Sequence, residues 1–341
     1  MSARSGDSTA SLFYRSDGET RRIGVELEYS GLDIETSAKL VQKEFGGQVE
    51  RISPYESKIR DTEFGDFQVE LDFSLLKQIG RHSAEKAGDK PSDQIPERLL
   101  ATVAEQLVPF EIVTPPLPMD RLHELEPLID RLREMGALGT RHSAIYAFGL
   151  HLNPEIPDLK AEAVLAYLQA FACLYPWLVR VGEIDWSRRF TVYIQPFPAE
   201  YVRLIIDRDY APGIDNLIDD YLQANPARNR ALDMLPLFAH IDEKRVRAAV
   251  DDDRIKPRPA LHYRLPNCEI DVRGWSLDKP WKHWLQVEHL AHDSKRLKKM
   301  CRGYGLYLDN PVRTMLKDWS KRCERWLIDL DDEGNELIGS D

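Results

Sequence analysis

The chain has 341 residues, with 46 Lys or Arg against 57 Asp or Glu, a formal net charge of −11, 43% hydrophobic and 30% charged residues. That is the composition of a soluble globular protein with a sizeable core, which excludes disorder of the chain as a whole. The acidic balance argues against a nucleic-acid partner, which needs concentrated Lys and Arg.

The first twenty residues are polar, lack the apolar core of a secretory signal, and read as a flexible arm over 1–20. The first strand is expected at residues 23–29 (IGVELEY), where Val25, Leu27 and Tyr29 alternate with Glu26 and Glu28. A helix is expected over 35–45 and a second strand over 66–72 (DFQVELD), carrying Glu70 and Asp72. Residues 77–98 are charged, contain Gly and Pro, and read as a polar insertion loop. A strand over 108–113 carries Glu111, an amphipathic helix follows over 120–135, and a strand over 145–152 carries His151. The most apolar run, 163–179, is interrupted by Gln169 and Pro176 and reads as a buried helix, so no membrane partner is expected. The region 199–250 is read as helical. Two strands are expected over 260–265 and 268–273, then helices over 279–299 and 311–330, and an acidic tail over 331–341. No linker or repeat divides residues 21–330, which are read as a single α+β domain. The four cysteines, Cys173, Cys268, Cys301 and Cys323, form no CxxC pair, so reduced thiols in a cytoplasmic protein are expected.

Glu is depleted in strands, yet four of these strands carry acids: Glu26 and Glu28, Glu70 and Asp72, Glu111, and Glu269 and Asp271. One wet sheet face accounts for any one of them. Together they suggest a site where like charges need compensation, and Mg²⁺, which prefers oxygen ligands and keeps positions for water and phosphate, is the natural candidate. His151 alternates with Leu150 and Leu152 and is read either as a core histidine or as a ligand facing the acids. Glu269, Asp271 and Arg273 share one face if their segment is a strand; Arg264 and Arg273 suit phosphate oxygens or neighbouring carboxylates. No GxxxxGK[ST], GxGxxG or GxSxG is present, which disfavours a glycine phosphate loop and triad chemistry.

Taken in order, IGVELEY, VELDFSLL, PFEIVTPPL, FGLHLNPE and HYRLPNCEIDVRG resemble the amidoligase branch of the glutamine-synthetase-like carboxylate–amine ligases, from about residue 22 to 290. The resemblance implies a curved antiparallel sheet of the glutamine synthetase catalytic-domain type, helices packed on one side, two Mg²⁺ ions between acidic strands, and ATP. It implies Glu26, Glu28, Glu111 and His151 as metal ligands. Asp271 stands for the family's Glu before Arg273, one methylene shorter, which leaves Glu269 as a competing ligand. Arg264 and Arg273 take the phosphate-contacting places. Asp72-Phe73-Ser74 resembles an Asp-Gly-Ser segment, and Asn153 stands where a second histidine is common, which makes Ser74 and Asn153 cofactor-side candidates. The implied activity is ATP-dependent amide formation through an acyl phosphate, on an amino acid, peptide or polyamine, with Glu70 or Asp72 beside the amine. A phosphotransferase acting on a guanidino or carboxylate acceptor and a catalytically silent nucleotide-binding protein are the alternatives. The expected partners are small-molecule or peptide carboxylates and amines, with homo-oligomerisation possible.

Overall fold

A computed structural model describes residues 12–71, 110–140, 148–184, 194–310 and 318–331. The alternation of the first segment produces β1 (Arg22–Tyr29), whose residues Ile23, Val25, Leu27 and Tyr29 are buried. It lies mid-sheet, antiparallel to β5 (Phe110–Val113) and to β7 (Leu150–Pro154), with β6 (Leu117–Pro118) paired beside its start. On one side the sheet continues from β5 through β4 (Gly65–Leu71) and β3 (Glu56–Thr62) to the edge strand β2 (Gln48–Ser53). On the other it continues from β7 through β9 (His262–Tyr263) to β8 (Leu232–Asp233). The path β2-β3-β4-β5-β1-β7-β9-β8 has two ends, so the sheet is open, and the chain is α+β.

Register sorts the side chains into two faces, because period-two alternation carries across paired residues. Phe67, Val69, Ile112, Leu27, Val25, Leu150, Leu152 and Tyr263 share the apolar face. Helix α1 (Ile34–Phe45) covers it on the β4 side, stacking Phe45 on Phe67 at 5.0 Å. Asp33 caps α1 by accepting from the Thr36 amide at 2.7 Å. Helix α2 (Glu126–Glu134) begins only after a 3₁₀ segment, Met119–Leu125, so the helix expected over 120–135 divides where Pro127 enters the first turn. Helix α3 (Ala161–Val181) brings Phe171 against Tyr263 at 5.9 Å. By length and composition α3 would cross a membrane, but 61% of its apolar window is buried in the protein, and it serves as the core helix.

Helix α8 (Asp278–His292) packs beside α3 and places Trp284 on Tyr263 at 4.9 Å. The helix expected over 279–299 is two helices: Asp293 ends α8 and caps α9 (Ser294–Leu308) by accepting from the amides of Lys295 and Arg296. Between α3 and α8 lie α4 (Ala199–Ile205), α5 (Ile214–Ala224), α6 (Leu235–Ile241) and α7 (Glu243–Ala249), with β8 interrupting a region read as helical throughout. Within the described part of 311–330 the chain forms a short helix, α10 (Trp319–Arg322), and a 3₁₀ turn, Cys323–Trp326.

A buried ion pair locks the start of β1 to α8. Arg21 and Glu288 are 0% and 1% exposed in their side chains and meet through two bonds of 2.9 Å. Trp284 donates to the same carboxylate at 2.8 Å and the Tyr167 hydroxyl donates to it as well. Arg21 also donates to the carbonyls of Leu12 and Glu155, so the network is well supplied with partners.

The strand expected over 268–273 does not form. After the bridge between Gly149 and Asn267 the chain turns away from the sheet: the Thr140 amide takes the Cys268 carbonyl at 2.9 Å, and Arg133 takes the carbonyls of Ile270 and Trp275 at 2.8 and 2.6 Å. Glu269, Asp271 and Arg273 therefore do not share a strand face.

Candidate active site

The opposite face of the sheet carries the chemistry. Register puts Glu70 opposite Glu111 and Glu111 opposite Glu28, with Glu56 opposite Glu70. Four glutamates thus run across four adjacent strands, at the roughly 5 Å interstrand spacing of a sheet. One step along, Gln68, Val113, Glu26 and His151 form the next row, and β9 adds His262, with Arg264 directly after that strand on the same cavity. Like charges set directly opposite one another are destabilising, so this face is costly unless something positive sits on it.

His151 stands where the rows meet. Its Nδ1 is 2.7 Å from Glu26 Oε2 and 4.0 Å from Glu111 Oε1, and its Nε2 is 3.3 Å from Glu28 Oε1. The Gly149 amide donates to Glu28 at 2.5 Å, and Asn153 donates to Glu26 at 3.0 Å while accepting from Arg258 at 2.8 Å. Burial pushes the Glu26 carboxyl up, but His262 and His151 outweigh it and hold it well below the usual carboxylate range. Burial and the nearby Arg264 push the His262 imidazole well down.

Over this floor lies a cavity of about 1020 Å³, roofed by the loops 226–229 and 249–258. Its floor includes Glu26, Glu28, Gln68, Glu70, Glu111 and His151, and its rim carries Arg228, Arg254, Lys256, Arg258 and Arg264 together with Asp251, Asp252 and Asp253, of which Asp252 pairs with Arg254 at 2.6 Å. Asp233, 0% exposed, sits between Arg228 at 3.8 Å and Arg264 at 3.7 Å and holds both at the cavity wall. Burial and the proximity of Arg264 push the Arg228 guanidinium down to about 10, which leaves it cationic at neutral pH. An acidic floor under a basic rim is a site for a cation below and a phosphate or carboxylate above.

The donor set fits a divalent cation. Two groups bring one ligand atom from each residue within 4.8 Å of one another: Glu28, Glu111 and His151, and Glu26, His151 and His262. In the second group the buried Nε2 of His262 faces Glu26 Oε2 at 3.6 Å and makes no hydrogen bond to any of the described residues, as expected of a nitrogen placed for a ligand.

A family model described as "putative amidoligase enzyme" matches residues 19–286, most of the chain. The chain belongs to the amidoligase family. That membership puts it among ligases at the coarse level. No curated protein and no solved structure matches it.

In this amidoligase-family chain the structure brings Glu26, Glu28, Glu111 and His151 together as the sequence pattern anticipates, with Arg264 on the same cavity and Asn153 bracing Glu26. It does not bring in the 269–273 group. Asp271 accepts from the Gly139 amide at 2.8 Å, Glu269 lines a separate small cavity beside Trp275 and Lys279, and Arg273 is exposed. The physical reason is the turn after Asn267, which carries these residues off the sheet. Asp72 and Ser74 lie outside the described residues. Sequence reasoning passed over His262, Arg258, Arg228 and Asp233. The first was within reach: in His262-Tyr263-Arg264 a strand alternation places His262 on the face of Arg264. The others come from loops and a two-residue strand, which leave no periodic signal.

Proposed function

We propose that the protein is an ATP- and Mg²⁺-dependent carboxylate–amine ligase that forms an amide through an acyl phosphate. The observation that supports this most is the glutamate row with His151 beneath a rim of arginines, in a chain of the amidoligase family. The reading includes the glutamine synthetase type of sheet, in which acids line one face of antiparallel strands, and the open sheet with one acidic face agrees with it.

Glu26, Glu28, Glu111 and His151 would hold the metal. When bound, Mg²⁺ neutralises developing phosphate charge and aligns the oxygens of the nucleotide. Arg264, steadied by Asp233, and Arg258, steadied by Asn153, are set to receive phosphoryl oxygens at the cavity wall, so the transferring group is held from above while the acids hold the cation below. The substrate carboxylate attacks the γ-phosphorus and ADP leaves; the amine then attacks the acyl carbon and phosphate leaves. Glu70, with Gln68 donating to it at 2.5 Å, lies beside Glu111 in the glutamate row and on the same cavity, and would take the ammonium proton.

The test is an ADP-release assay with Mg²⁺ over amino acids, glutamyl peptides, polyamines and simple amines, with products read by mass spectrometry. An amide formed one for one with ADP is expected. A phosphorylated acceptor with no amide would reassign the protein as a phosphotransferase, and ATP binding without turnover would leave a catalytically silent nucleotide-binding protein.

A further inference from the structure

The two candidate ligand groups differ in chemistry, and the difference bears on which ion the site prefers. Glu28 and Glu111 offer oxygens, the donors that suit Mg²⁺. The other group pairs one carboxylate, Glu26, with two imidazoles. His262 is 2% exposed, its Nε2 is 3.6 Å from Glu26 Oε2, and among the described residues that nitrogen makes no hydrogen bond. The rings of His151 and His262 lie 5.2 Å apart, tilted at 63°, so that both reach the same carboxylate. Two nitrogens and one oxygen are the donors of a borderline metal, for which imidazole is a far better ligand than it is for Mg²⁺.

We propose that Glu26, His151 and His262 form a nitrogen-rich metal site selective for a Zn²⁺- or Co²⁺-like ion over Mg²⁺. A neutral imidazole has one lone pair, so His151 serves one ion at a time, and Glu28 with Glu111 remains the oxygen-rich place for a nucleotide-borne Mg²⁺. Ligation through His262 Nε2 requires the ring proton on Nδ1. The Arg258 guanidinium stands 3.2 Å from that nitrogen, so metal and Arg258 compete for the ring. The inference concerns the same cavity as the ligase reading and rests on that reading only for its catalytic consequence.

The test uses the full chain, stripped with chelator, without nucleotide. Zn²⁺ and Mg²⁺ are titrated separately by calorimetry, and Co²⁺ by visible absorption. Zn²⁺ and Co²⁺ are expected to bind on the order of 100-fold more tightly than Mg²⁺. His262→Gln is expected to weaken both on the order of 100-fold, since losing a ligand exceeds the loss of an outer-shell partner, while changing Mg²⁺ binding little and altering the Co²⁺ bands. Arg258→Met is expected to tighten Zn²⁺. Zn²⁺ affinity unchanged in His262→Gln, or weakened in Arg258→Met, or Mg²⁺ binding as tightly as Zn²⁺, would overturn the proposal. If His262→Gln does not fold, zinc-edge X-ray absorption of the unaltered protein decides: two imidazoles per zinc support the site, and one or none removes it. Because no nucleotide is present, these outcomes are independent of the ADP-release assay, which can fail or succeed separately.

Discussion

Glu28 faces the proposed metal position from mid-sheet, where its carboxylate shares His151 with Glu26 and Glu111. Glu28→Ala removes a proposed ligand and one of several crowded negative charges, so ADP release should vanish while the protein stays folded. The ADP-release assay checks the first half and a thermal melt the second. Mg²⁺ with ATP at about a hundred times its Kd should add roughly 2.7 kcal/mol to the unaltered protein and little to the variant. Full turnover by Glu28→Ala would refute the assignment. At this scale the sequence was informative where a residue's face follows from alternation in a full-length strand: Glu26, Glu28, Glu111 and His151 all sit in strands of four residues or more. It misled at Asp271 and Arg273, whose alternation is equally regular. What distinguishes them is tertiary: Gly139 and Arg133, more than 130 residues earlier, capture the segment and bend it.

Two elements depend on those long-range attachments. The bend at 268–275 packs its Asp271 carboxylate and the Cys268 carbonyl against Gly139, where an added Cβ would collide with both. Gly139→Ala should cost about 1–3 kcal/mol as an overpacked contact, read from urea melts. The junction of β1 with α8 depends on Glu288. Burial pushes its carboxyl up, but Arg21 outweighs burial and holds it below its ordinary value. Glu288→Gln leaves Arg21 buried with its charge unbalanced, and should cost about 3–5 kcal/mol by the same melts. The double change Arg21→Met with Glu288→Leu should recover much of that loss, since neither charge is then stranded. The elements themselves were legible wherever one face is buried: β1, β4, α1 and α3 lie within two residues of expectation. The hairpin β2–β3 was not, because β2 is a sheet edge exposed along nearly its whole length, and QVERIS shows no apolar side to read. β8 and β9 are two-residue strands, too short for any period.

For the whole molecule the pH dependence of stability follows from two histidines of α8, His283, which is half-buried, and His289, which is buried. Burial and Lys279 push His283 down to about 4, and burial and Arg296 push His289 down to about 4. Both are neutral when folded and take up protons near pH 6.5 when unfolded. Below that value the unfolded chain binds more protons, so their stabilising effect, complete above pH 6.5, is lost as the pH falls toward 4. Glu288, whose folded value is depressed, adds its own loss at lower pH still. Melting temperatures taken from pH 7.5 to 4 should fall through this window, and His283→Asn should flatten part of the slope; a flat profile would contradict the depressed values of both rings. The formal charge of −11 acquires a distribution at this scale. Part of it lines one cavity, where Arg228, Arg258 and Arg264 offset the acids locally.

The bond between Arg21 and Glu288 spans 267 residues of sequence. A chain leaving the ribosome therefore makes its central strand first and its lock nearly last. Until α8 emerges, α3 lacks the helix it packs against and Arg21 lacks its counter-charge, while the strands flanking β1 can already pair. Topology of this kind folds slowly and leaves apolar surface bare for the length of the wait. Synthesis rate and chaperone supply, more than the strength of the finished core, should decide how much of this protein a cell recovers in native form.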